Sequence, residues 1–360
     1  MRMKCKYAGC ESKTYPEEDY CILHMDLPHK GGRLELIKNL KEKEVERKIQ
    51  AGDLNFKGAR FYDVNFSGLH IPGDLVLTQA VVENDFHCLD SEVDGGIWFD
   101  QGRVGGHAFF ESSLIRGSIS FYRGRVGGNI SFDHARVDKY VWFEEVKVDG
   151  EASFNHCYLG GSISFNKARV DENVSFYGST IGGNAWFEEA YLGGSTWFDL
   201  AEIRGALCFK GTRFKYIKSQ ERACRSAKIL WEKLGDRGKA DYHFYREMEA
   251  KRKQKGYLNR YLELIVQYPF GYGVRPLRLI LTFIGIMIAF AFFYWMAEGI
   301  LNVDVFMDKL RFSFLTMLIP AYGVINAKTG VYGWLTILEA FIGAFTWPTF
   351  MVIFARKYMR

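Results

Sequence analysis

A phenylalanine returns every eleven residues through the middle of the chain: Phe99, Phe110, Phe121, Phe132, Phe143, Phe154, Phe165, Phe176, Phe187, Phe198 and Phe209. Five residues after each of the first ten stands Val, Ile or Leu, from Val104 and Ile115 to Leu192 and Ile203. Position +3 is usually small, as at Ala135, Cys157 and Ala190, and position +7 is usually glycine. Upstream the period shortens to five, through Phe56, Phe61, Phe66 and Ile71, with Leu54, Ala59, Val64 and Leu69 two residues before each. A fixed short period of this kind specifies a solenoid, in which each unit buries its apolar face only by stacking on its neighbours. The repeat also accounts for much of an unusual aromatic content, 30 Phe and 20 Tyr in 360 residues.

The repeat resembles that of the pentapeptide-repeat proteins, whose right-handed quadrilateral β-helix points one large and one small residue inward per side. The resemblance implies sides of five and six residues, a coil of about 22, and, within a solenoid domain of residues 51–214, a rod roughly 35 Å long over residues 54–214 at about 4.8 Å per coil. On that reading Cys88, Cys157 and Cys208 fall on or near inward positions and belong to the core, and the repeat glycines serve turns. Some members of the family mimic DNA with a strongly acidic rod. Residues 51–214 carry a net charge of only −8, so no nucleic-acid partner is expected. A partner protein on the solenoid is compatible with this surface.

The solenoid is flanked by helical segments. Arg33–Gln50, with Leu34, Ile37, Leu40, Val45 and Ile49, predicts an amphipathic helix within a capping segment, residues 31–50, that protects the first coil's open edge. Residues 216–234 and 237–255 predict two helices around Gly235-Asp236, the second ending in the basic residues Lys251, Arg252, Lys253 and Lys255. Basic clusters beside a membrane attract anionic lipid headgroups, so this run is expected to face lipid. Residues 257–273 interleave aromatic and aliphatic side chains and predict one interfacial helix, closing a linker that spans 215–274.

Residues 275–360 have another character. Leu279–Ala297 contains no charge, and Trp334–Ala355 contains one, Glu339. Each is long enough to cross a bilayer, which takes about 20 apolar residues. Arg275 and Arg278 precede the first span, and Arg356, Lys357 and Arg360 follow the second, so both termini are expected in the cytoplasm of a multi-pass plasma-membrane protein. Residues 1–25 are polar and do not read as a secretory leader. A cytosolic N-terminal part agrees with reduced thiols. Between the spans, Phe306–Leu318 predicts a short amphipathic helix, followed by Ile319-Pro320-Ala321-Tyr322-Gly323.

This order of elements, with Ser313, Phe314, Thr316, Tyr322-Gly323 and Gly343, resembles the two-transmembrane pore module of the potassium-channel superfamily. The resemblance implies a homotetramer that conducts inorganic cations, with a re-entrant loop in which Thr316, Ile319, Pro320, Ala321, Tyr322 and Gly323 line the path. It departs from the Thr-Val-Gly-Tyr-Gly filter. Ala321 replaces a glycine that adopts a left-handed backbone, and Pro320 restricts Ile319, so weak or no potassium selectivity is expected. Gly343 and Pro348 are the expected bends of a gate. Glu339 would face the pore, sit behind the loop as a hydrogen-bond partner, or lie near the outer interface. The competing class is a membrane-anchored scaffold that conducts nothing.

At the N-terminus, Cys5, Cys10, Cys21 and His24 offer three thiolates and an imidazole within twenty residues, with His29 as a competing ligand. Such a closed S/N set suits a structural zinc, giving residues 1–30 as a zinc-knuckle-like segment. No P-loop and no Gly-x-Ser-x-Gly elbow occurs, and the chain is not expected to be an enzyme.

Overall fold

A computed structural model describes residues 4–28, 32–296, 305–319 and 330–358. The chain divides into two compact units, Met1–Lys251 and Arg252–Arg360.

The first unit is a β-solenoid of about seven turns, of the right-handed type. Its 29 strands, β1 (Arg60–Phe61) to β29 (Arg213–Phe214), are two residues each and form four parallel sheets, one of eight strands and three of seven. Arg60 pairs with Val81, 21 residues on. Every later pairing advances by 22, as in Val81 with Arg103 and Arg103 with Arg125. Sides of five and six residues therefore alternate as the period implied, and only the first is shorter.

Inside, the phenylalanines form two ladders. Phe99, Phe121, Phe143, Phe165, Phe187 and Phe209 stack with ring centroids 4.9–5.3 Å apart. Phe86, Phe110, Phe132, Phe154, Phe176 and Phe198 stack at 4.5–5.2 Å. Between ladders the rings meet edge to face, Phe154 and Phe165 at 89°, the arrangement that aromatic quadrupoles favour. The residue two before each Phe, such as Ile119, Ile130, Val141 and Ile163, is buried throughout the eleven-residue region too. That column was read only upstream, where Leu69 in turn proves exposed.

Two expectations are corrected here. Gly58, Gly68, Gly178 and Gly211 take left-handed turn positions, but the glycines at position +7 do not. Gly106, Gly117, Gly128 and Gly150 keep ordinary φ, but a Cβ at Gly128 would lie 2.9 Å from the Gly106 carbonyl carbon in the preceding coil. They are glycine because backbone passes over backbone. The left-handed turn residues lie two after each large inward residue, and most are not glycine: Gln101, Arg123, His134, Glu145 and Lys167 have φ of 54–60°. Cys88 and Cys157 are core residues as expected, Cys88 standing in a Phe position. Cys208 instead occupies an outward strand position, beside Ala206, Trp231 and Ala240 under the helices that follow.

Both ends of the stack are covered. Helix α1 (Gly32–Gln50) buries Ile37, Lys41 and Val45. Val45 joins Cys5, Cys21 and Leu23 in one core with Leu54 and Phe56 of the first coil, and the Leu23 carbonyl accepts the Arg60 N–H at 2.7 Å. Lys41 is buried because its ammonium donates to the carbonyls of Ile22 (2.6 Å), Leu23 (3.3 Å) and Met25 (3.0 Å). Burial pushes its pKa down to about 7. At the far end lie α2 (Ile217–Lys233) and α3 (Arg237–Gln254). Trp231 donates to the Leu207 carbonyl at 2.9 Å, and Arg246 donates to those of Phe209 (2.9 Å) and Thr212 (2.7 Å). Side chains thus satisfy edge carbonyls that would otherwise invite pairing with another chain.

In the second unit, residues 257–273 are not one helix. They form α4 (Tyr257–Leu262), α5 (Leu264–Phe270) and a 3-10 turn, Gly271–Gly273. Pro269 removes a donor from the last turn, and left-handed Gly271, Tyr272 and Gly273 prevent continuation. Then come α6 (Pro276–Met296), α7 (Phe306–Leu318) and α8 (Val331–Tyr358), which pack on one another. Helices α6 and α8 are long and apolar enough to cross a membrane, and only 17% and 28% of their apolar windows is buried. Pro320, Ala321, Tyr322 and Gly323, like His29, lie outside the described residues.

Two outcomes test this architecture. Phe143→Ala removes a fully buried rung and should cost about 3–5 kcal/mol, read by chemical unfolding of the full chain followed by far-UV circular dichroism. His243 of α3 is pushed down to about 4 by burial and by nearby Arg246. The folded state holds it neutral while the unfolded chain protonates below about 6.5, so its contribution is complete above that pH. About 3 kcal/mol is lost as pH falls towards 4, and His243→Leu should flatten the stability profile across this window.

Candidate functional site

Two constellations gather the chemistry. The first is the N-terminal knuckle. Cys5, Cys10, Cys21 and His24 bring one ligand atom each to within 4.8 Å of all the others. The Cys10 and Cys21 sulfurs are 3.8 Å apart, Cys5 Sγ is 3.6 Å from His24 Nδ1, and Cys21 Sγ is 3.1 Å from it. Tetrahedral zinc bonds of about 2.3 Å to sulfur and 2.0 Å to nitrogen require edges of roughly 3.5–3.8 Å. Two of these three separations match such edges, the Cys21–His24 one is shorter, and all six lie within 4.8 Å, a donor set compatible with a four-coordinate ion. Among the described residues the cysteines are all free thiols.

Support for the four comes from outside the motif. His24 Nε2 donates to the Lys57 carbonyl at 2.9 Å, which leaves Nδ1 as the lone-pair nitrogen facing the thiols. This is the hydrogen bond that orients metal-ligating histidines. Tyr7 stacks on the imidazole at 4.2 Å, and Cys5 Sγ accepts the Cys21 N–H at 3.2 Å. Lys41 fixes the chain on both sides of His24. None of Tyr7, Lys41 and Lys57 is marked by the ligand spacing; the one usable signal is that Lys41 falls four residues from both Ile37 and Val45, on the buried face of α1.

The second constellation is polar and lies inside the apolar helices. Glu339 of α8 is fully buried. Tyr294 of α6 donates to its Oε2 at 2.7 Å, and Ser313 of α7 donates to its Oε1. Ser313 Oγ also lies 2.9 Å from the Met287 carbonyl of α6. One carboxylate thus joins three helices by hydrogen bonds, and the loop behind which it was expected to sit lies outside the described residues. Tyr294 had given no signal in an uncharged stretch. Thr316 is also fully buried, its hydroxyl without a partner among the described residues, and Ile319 is exposed beyond the end of α7. Gly343 lies where α7 and α8 touch: a Cβ there would collide with the Met317 carbonyl oxygen. Pro348 sits within α8, which continues past it.

The basic run has acidic neighbours within the chain. Lys251 pairs with Glu247 at 2.7 Å, Lys255 pairs with Glu263, and Arg252 is buried.

Residues 143–190 match the family model described as pentapeptide repeats (9 copies). With the four-sided stack of 22-residue coils, the match makes this a pentapeptide-repeat solenoid. No curated protein and no solved structure matches the chain.

Proposed function

We propose that the chain is the subunit of a membrane ion channel, tetrameric and permeable to cations with weak or no potassium preference, which carries the solenoid in the cytosol. The observation that carries this reading is the Glu339–Ser313–Tyr294 cluster, which pins a short helix between two long apolar ones. A simple anchor has no use for a buried carboxylate, which is costly in a bilayer and there mostly functional. The outward apolar surface of α6 and α8 supports insertion: a helix buried in a soluble core would have most of this surface covered. Reconstituted in planar bilayers, the protein should pass current that reverses near the cation equilibrium potential in a potassium chloride gradient. Potassium against sodium should then reverse close to zero. Strong potassium preference would refute the altered filter, and silence under all conditions would favour a membrane-anchored scaffold.

We also propose that Cys5, Cys10, Cys21 and His24 hold a structural zinc, with no open position for hydrolysis. Elemental analysis of protein from zinc-supplemented cells should find about one zinc per chain. Cys10→Ser combined with Cys21→Ser should remove it and lower the unfolding temperature. Metal-free wild-type protein of unchanged stability would defeat the assignment.

A further inference from the structure

The outward side chains of one solenoid sheet follow a rule separate from the core. From coil to coil they are Trp98, Ser120, Trp142, Ser164, Trp186 and Cys208. Tryptophan returns every 44 residues, which is two coils, with serine between. Ser120 and Ser164 are buried at the feet of the flanking rings. Two coils set successive indoles about 9.6 Å apart at their attachment points, room for one flat group unless the rings lean together.

Most of the row is already closed. Trp98 and Trp142 lean towards each other over Ser120, with centroids 6.2 Å apart and planes at 25°. Trp186 meets Trp231 of α2 at 6.4 Å. Between Trp142 and Trp186 an open cleft of about 480 Å³ remains. Tyr140, stacked on Trp142 at 5.6 Å, adds to one wall, and Ser164 forms the floor. The rim carries Glu144, Asn166 and Glu188. Glu144 Oε1 accepts from Ser164 at 2.8 Å and Glu188 Oε1 from the Cys208 thiol at 3.4 Å. The second oxygen of each carboxylate has no partner among the described residues.

We infer that this cleft binds a guanidinium group, presented by an arginine on a basic segment of a partner protein. Indole faces attract cations through their quadrupole, and a planar guanidinium both stacks on a ring and pairs with carboxylates. Two carboxylates beside two indoles supply both contacts, on a solenoid of net negative charge. The inference is independent of conduction: it concerns the solenoid's outer surface.

The test uses the full-length protein in neutral detergent and a fluorescein-labelled nonapeptide bearing three arginines, followed by anisotropy. The same peptide with citrulline should bind about tenfold more weakly or worse, because the shape is kept and the charge is lost. Trp142→Ser, and Glu144→Gln combined with Glu188→Gln, should each weaken arginine-peptide binding by about tenfold. Serine already occupies this place at 120 and 164, so the fold tolerates the first change, and an unaltered melting curve checks both. Variants that bind like the wild type would reduce the effect to general attraction by an acidic rod and overturn the proposal. So would equal binding of the citrulline peptide, or binding of a β-linked hexasaccharide in place of the arginine peptide.

Discussion

Everything in the first unit depends on one constraint: parallel strands superimpose each coil on the last, with a shift of 22 residues after the first pairing. Once that register holds, like residues must stack on like, because each position sees its own equivalents above and below. Phenylalanine works inside because its rings can tile at about 5 Å, close to the spacing that backbone hydrogen bonds impose. Polar positions obey the same rule. Asn129 Oδ1 accepts the Glu151 N–H, and Asn173 Oδ1 that of Ser195, each 22 residues on. These amides satisfy backbone donors at corners, where strand pairing stops.

That constraint explains which parts of the fold could be read in advance. The eleven-residue phenylalanine period, the paired helices around Gly235-Asp236 and the short helix Phe306–Leu318 were legible because each rests on local periodicity or punctuation. The role of the repeat glycines was not. Glycine in a repeat suggests a turn, whereas Gly128 is small because Gly106 lies directly against it, and such a contact exists only once coils stack. The left-handed residues were hidden for the converse reason, since Lys167 or Glu145 carries no mark of its backbone angle.

The candidate sites divide in the same way. Four zinc-type ligands in twenty residues announce themselves by spacing, but the Lys57 carbonyl that orients His24 comes from the first coil. Glu339 was conspicuous as a lone charge in an apolar stretch, while its partners Tyr294 and Ser313 were ordinary residues on other helices. In the basic run, charge in the sequence did not reveal that an acid such as Glu247 stands beside Lys251. First ligands follow chemistry; their supports follow topology.

The two caps have a consequence for how such a molecule can change. Arg246 and Trp231 grip main-chain carbonyls at one end, and Leu23 offers its carbonyl to a main-chain N–H at the other. Neither end depends on how many coils lie between. Whole coils can therefore be gained or lost by duplication without rebuilding either terminus, each lengthening the rod by about 4.8 Å. The solenoid is in that sense a spacer of adjustable reach, with its length and its end fittings free to evolve separately.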